Sequence, residues 1–273
     1  MADVVSSITS LFSTALQAFE FIQVARTFEN EAGIYQSKLA IIQLRLSRWG
    51  EAIGLDPDHE AKPAEETLKS SQPSLAIKTD AEAVEEILDN INRALKNAKR
   101  ESANWKPTGD DMGLDDDDGD LQPRYKRLKT MIRHIVEKRC RQITTGVRGA
   151  KWALYKKEQC ETFTTRLLEL IEQLEKTVQS EGKLDELSQS ESKVLSESLK
   201  TLLEAVGDVD PRLKAAASEM LRDKSETNKI TIGATTNYGL QMGINRGEMK
   251  GLTFGTGNTV SHQWHGPSHP HQG

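Results

Sequence analysis

A chain of 273 residues with 36% hydrophobic side chains can bury a core over much of its length. Its net charge of -5 and pI near 5.8 argue against a surface that tracks nucleic acid throughout. Cys140 and Cys160, its two cysteines, fit no zinc, redox or disulfide spacing, so buried thiols in a reducing, cytosolic setting are expected.

Val4–Ala25 carries Val4, Val5, Ile8, Leu11, Phe12, Leu16, Phe19, Phe21, Ile22 and Val24, with Glu20 as its only charge. The stretch is close to a membrane span in length. Ser6, Ser7, Thr9, Ser10, Ser13, Thr14 and Gln17 dilute it, however, and no basic residue precedes it as a signal peptide requires. It is predicted to be a buried amphipathic helix in the resting protein. Next, Tyr35, Leu39, Ile42, Leu46, Trp49 and Ile53 alternate steps of four and three, which places them on one face of a helix ended by Gly54 and Pro57.

Residues 56–78 hold Pro57, Pro63 and Pro73 among polar residues and read as a loop. Thr79 is the expected N-cap of the next helix, with Glu82 completing a capping box ahead of Val84, Ile87, Leu88, Ile91 and Leu95. A second loop is expected over 107–123, around the acidic run "DDMGLDDDDGDL". That run is no EF-hand: Leu114 stands where the first ligand belongs and Tyr125 where the bidentate glutamate belongs.

From Arg124 the charge reverses. Arg124, Lys126, Arg127, Arg133, Lys138, Arg139 and Arg141 lead a basic segment whose apolar side is Leu128, Ile132, Ile135 and Val136. Three further helical stretches follow: one through Phe163, Leu167, Ile171, Leu174 and Val178, one over Leu184–Val206, and a short one with Asp210 as N-cap and Pro211 in its first turn. Helical periodicity fades after Leu221, which sets a helical domain at 1–222 and a linker at 223–228.

Motifs of catalysis are absent: no phosphate-binding glycine loop, no G-x-S-x-G, no H-E-x-x-H. No enzyme, cofactor, metal or small-molecule substrate is expected. His262, His265, His269 and His271 lie in a glycine- and proline-rich tail at 261–273, which reads as disordered, and His59 and His134 are isolated and expected on the surface. The basic segment has three readings: a solvated helix face balanced by the acidic run, a contact for anionic lipid, or a nucleic-acid contact that lacks interleaved aromatic platforms.

Residues 229–260 differ in kind. "NYGLQMGI" and "NRGEMKGL" align as two blocks of eight, pairing Asn237 with Asn245, Tyr238 with Arg246, Gly239 with Gly247, Gln241 with Met249, Gly243 with Gly251 and Ile244 with Leu252. Glycine at this density excludes a stable helix, each one costing ~0.8–1 kcal/mol relative to alanine. Stacked cross-β rungs suit the pattern, with asparagine ladders and glycine corners.

With "FEFIQVARTF" (19–28), "LRLSRWGEAI" (44–53), "AEAVEEIL" (81–88) and "KWALYKKE" (151–158), the chain resembles fungal HET-S-type proteins over about residues 1–222. In that family an N-terminal HeLo domain precedes a C-terminal prion-forming segment. The resemblance implies an all-α helical-bundle HeLo domain followed by a tail able to form a β-solenoid or cross-β amyloid. It also implies an N-terminal segment released to insert into membrane when a partner, such as a NOD-like receptor bearing a matching motif, templates the tail. The eight-residue repeat departs from the two longer repeats of that pattern and is similar to the sigma class of fungal prion motifs. Such a protein is cytoplasmic while inert and at the plasma membrane once active. The expected function is an amyloid-triggered, membrane-targeting cell-death effector in fungal heterokaryon incompatibility or innate immunity, with itself, a receptor and lipids as partners; the alternatives are a non-toxic prion-propagating interaction protein or inhibitor of the same fold, or a helical nucleic-acid adaptor.

Overall fold

The structure, a computed structural model, describes residues 2–25, 31–55, 77, 80–104, 121–140, 151–179 and 181–227. Along the chain these form α1 (Ala2–Phe19), β1 (Ile22–Val24), α2 (Ala32–Ile53), α3 (Ala81–Ala103), α4 (Pro123–Arg139), β2 (Trp152–Leu154), α5 (Lys157–Lys176), α6 (Glu181–Val194), α7 (Leu199–Val206) and α8 (Pro211–Thr227). The architecture is all-α, with one short two-stranded parallel ladder added.

The axis of the bundle is α2. Its expected stripe of Tyr35, Leu39, Ile42, Leu46, Trp49 and Ile53 is buried, but so are Ile41, Leu44 and Ala52 on other sides. A helix apolar on most sides requires neighbours on most sides, and α1, α4, α5, α6 and α7 all pack on α2. Gly54 ends it in the left-handed conformation at φ 80°, its N–H bonded back to Glu51 and Gly50, as glycine is suited to do.

Around this axis, α3 buries Val84, Leu88, Ile91 and Leu95 against α1 and α5. Its N-cap is Asp80, not Thr79: the Asp80 carboxylate accepts from Glu82 N at 3.1 Å. A carboxylate both caps and complements the positive end of the helix. Pro123, expected in a loop, opens α4 at its first position, where its missing N–H costs nothing. The Tyr125 ring lies so close to Gly33 that a Cβ there would stand 2.3 Å from Cδ2. Ile77 makes an antiparallel bridge with Val178 at the end of α5.

Three further expectations need correction. The apolar stretch Val4–Ala25 is not one helix: α1 stops at Phe19, its end tightened by Glu20 N to Gln17 O and Phe21 N to Ala18 O. Ile22 and Val24 enter β1 instead, because β-branched residues fit a pleated ladder as well as a helix. Leu184–Val206 is two helices, α6 and α7, parted at 195–198 by tight turns such as Ser198 N to Leu195 O. And α8 continues to Thr227, through residues expected to be linker.

Both cysteines are buried thiols outside any disulfide, and burial pushes the Cys160 thiol up to about 12. His134 is exposed on α4. The aspartates of the acidic run, within 110–120, and the 229–260 tandem lie outside the described residues.

Candidate functional site

In α1 the apolar residues recur at helical spacing, so one face carries Ile8, Phe12, Ala15, Leu16 and Phe19, all buried. Val4, Val5 and Leu11 are half-buried at the margins, while Ser6, Ser10 and Thr14 stand exposed opposite. The buried face rests on α3 and α2. Phe12 is the closest-fitted member: its ring packs 5.8 Å from the Trp49 ring and directly over Gly50.

Hydrogen bonds pin this helix along its length. Ser7 Oγ donates to Glu85 of α3, and Asn92 Nδ2 donates to the Leu11 carbonyl at 2.9 Å. Gln43 of α2 donates from Nε2 to Leu16 O and to Glu20 Oε1, and Arg133 of α4 approaches Glu20 at 3.7 Å.

Directly after α1, β1 pairs in parallel with β2, Ile22 opposite Trp152 and Val24 opposite Leu154. Trp152 N donates to Phe21 O at 2.8 Å and Ala25 N to Leu154 O at 3.0 Å. Gln36 bonds the free side of β1, accepting from Val24 N and donating to Ile22 O, and Ser102 donates to Ala153 O on β2. The strand thus clamps the apolar helix at one end.

A different set of forces holds the rest. Arg48, fully buried on α2, is bonded by Glu191 of α6 and by Asp210 at the start of α8. Arg139 of α4 joins Glu191, Glu51 and Ser47, and Arg45 forks onto Glu175 of α5 while reaching Val209 O. Buried charges are tolerated only when paired this fully. Burial alone would raise the Asp210 carboxyl, yet Arg48 and the Leu213 N–H it caps hold it below the ordinary carboxylate range. The network binds α2 to α4, α5, α6 and α8; among the described residues α1 supplies none of its members.

The basic residues expected on α4 divide. Arg124, Lys126, Arg127, Arg133 and Lys138 are exposed, but Arg124 pairs with Glu204, Arg127 with Glu197 and Arg133 with Glu137. Arg139 is no surface residue: its side chain is 10% exposed and committed to the buried network. Arg141 lies outside the described residues, as do Asn237, Tyr238, Gly239, Gln241, Gly243, Ile244, Asn245, Gly247, Met249, Gly251 and Leu252.

Sequence reasoning found the buried face of α1 and missed the β1 clamp and the arginine network. Arg45 and Arg48 gave a signal: they are cations embedded in a helix whose remaining faces are apolar. Among the described residues no helix is long and apolar enough to cross a membrane, and no cluster of three metal-ligating side chains occurs.

The HeLo family, described as prion inhibition and propagation, matches residues 2–209. The chain is 28% identical over 218 residues to the heterokaryon incompatibility protein s of Podospora anserina, covering 79% of this chain and 72% of that protein. It is 29% identical over 220 residues to the heterokaryon incompatibility protein S of the same species, covering 78% and 71%. Among solved structures, the HET-s N-terminal domain matches with a TM-score of 0.65 at 24% identity, over 80% of this chain and 98% of that domain. A doubly substituted form of the same domain gives 0.65 at 26% identity, over 79% and 98%.

Proposed function

The chain belongs to the HeLo family, and on that premise we propose that it is a membrane-directed cell-death effector of fungal heterokaryon incompatibility, triggered when its 229–260 segment is templated into amyloid. The partners in this reading are further copies of the chain, a receptor with a matching motif, such as a NOD-like receptor, and membrane lipid. The inert protein is cytoplasmic and the active one sits at the plasma membrane.

One observation carries the reading: the apolar helix α1 is fixed by packing, hydrogen bonds and a three-residue ladder, while the buried ion network leaves it out. Detaching α1 therefore breaks no buried ion pair of that network. Its cost is the exposure of Ile8, Phe12, Leu16 and Phe19, roughly 1.5–3 kcal/mol each, which a hydrocarbon environment returns. As folded, the 18 residues of α1 reach ~27 Å at ~1.5 Å per residue, short of a ~30 Å hydrocarbon core. A spanning form must recruit Glu20–Ala25, so β1 leaves its partner and continues the helix.

The rival with the same fold is a non-toxic, prion-propagating inhibitor in which α1 stays seated. Its support is the number of clamps on α1, including Asn92 on a mid-helix carbonyl and Gln43 near the end. The two readings separate in one experiment: the full chain is expressed in a fungal cell with preformed fibrils of 229–260, and death and membrane permeability are scored. Death dependent on seeding supports the effector; seeded aggregation with intact membranes supports the inhibitor and overturns the proposal.

A further inference from the structure

An open cavity of about 540 Å³ lies between the C-terminal ends of α2 and α4, walled by α6 and by Phe12 of α1. That volume falls within the ~300–1,000 Å³ of small-molecule sites. Its apolar wall includes Phe12, Leu55, Leu187 and Val194. Val194 is the one large hydrophobic side chain standing exposed among the described residues, at 48%.

On the same wall stands Lys138, exposed and without an ion-pair or hydrogen-bond partner among the described residues. The arginines of α4 are all committed to carboxylates. The two carboxylates that line the cavity, Glu51 and Glu191, are both held by Arg139 and present no free negative charge to a ligand. An uncommitted cation and an exposed hydrophobe therefore meet at one cavity, which suits a molecule with an anionic head and an apolar tail.

We propose that this cavity binds a single-chain acyl carboxylate, a free medium-chain fatty acid, with its tail along Phe12, Leu55 and Leu187 and its head at Lys138. Phe12 forms part of the wall only while α1 is seated. The ligand thus binds the closed fold in preference to an opened one, and by linkage holds α1 down. Binding stands on the cavity alone, and only the effect on release rests on the function proposed above, so the two can fail separately.

The test uses the full chain and dodecanoate below its micelle concentration. The unfolding midpoint should rise by about 5 °C or more at ~100-fold excess over Kd, and amide exchange in Leu11–Leu16 should slow. Acetate, which lacks the tail, and dodecyltrimethylammonium, which inverts the head, should do neither. Lys138→Glu, at an exposed position, should weaken dodecanoate by at least about tenfold through like-charge repulsion, and Val194→Asp should weaken it too; if Lys138→Glu fails to fold, Lys138→Gln carries the same comparison. No midpoint shift, an equal shift with the cationic amphiphile, or unchanged binding by the Lys138 variant overturns the proposal. So does protection by anionic phospholipid vesicles without any response to free dodecanoate, which would assign the surface to lipid headgroups.

Discussion

Phe12 and Gly50 are fitted to each other across the α1–α2 interface: a Cβ on Gly50 would stand 2.3 Å from Phe12 Cζ. Gly50→Ala therefore forces the ring to move, while the α2 backbone gains about 0.8–1 kcal/mol of helix propensity. The two effects fall on different elements. Amide exchange in α1 should speed up, with overpacking costing ~1–3 kcal/mol at the seat, while α2 keeps its protection. Uniform destabilisation of both helices would refute a separable α1.

Asp210 should govern part of the acid sensitivity. Its carboxyl is held below the ordinary range in the fold, so near pH 4 the native state binds fewer protons than the unfolded chain. The stabilisation is complete above the unfolded carboxylate value of about 3.9 and fades as pH falls below it towards the native value. Asp210→Asn should cost roughly 3–5 kcal/mol at neutral pH, as breaking a buried pair does, and should flatten the acid limb of a urea-unfolding series. Asparagine retains an oxygen to cap α8, so the loss reports on Arg48. An unchanged acid slope would show that the pair does not titrate with folding.

A peptide of residues 229–260 should form fibrils with a cross-β spacing near ~4.7–4.8 Å. Proline at Gly239 and Gly247 removes ladder donors and fixes φ, and fibre diffraction of that variant should show no such reflection. Undiminished assembly would remove the ladder as the basis of the repeat.

For membrane entry, the useful position is Leu11 rather than Leu16. Leu16 is fully buried and an aspartate there disrupts the seat, whereas Leu11 is half-buried at the margin. Leu11→Asp should suppress seeded liposome leakage, since an acidic residue in mid-span costs about 2.5–3.5 kcal/mol on insertion scales. Fibril formation by 229–260 should be unaffected. Leakage by a folded Leu11→Asp protein would shift the membrane-active role away from α1.

What the sequence disclosed was local. The stripe of α2, the buried face of α1 and the Asp210–Pro211 start of α8 each depend on residues within a turn or two, and each lies where periodicity and capping rules put it. What stayed hidden was set by distant partners. Ile22 and Val24 read as the last turn of a helix until Trp152–Leu154 is brought alongside to accept them as a strand. The basic character of α4 was visible, but not that Glu197 and Glu204 would stand opposite it, nor that Arg139 would turn inward to Glu191. The cap of α3 fell one residue beyond the expected Thr79, on the carboxylate of Asp80.

The pairing of β1 with β2 also imposes an order on synthesis. Ile22 leaves the ribosome early, but its partner Trp152 follows only after most of the domain has been translated. Roughly 130 residues at ~5–20 per second take on the order of ten seconds. Throughout that interval the nascent chain carries an apolar helix whose terminal clamp does not yet exist. Covering the apolar face of that helix during translation is then the work of α2 and α3, or of a chaperone, before the finished fold can do it.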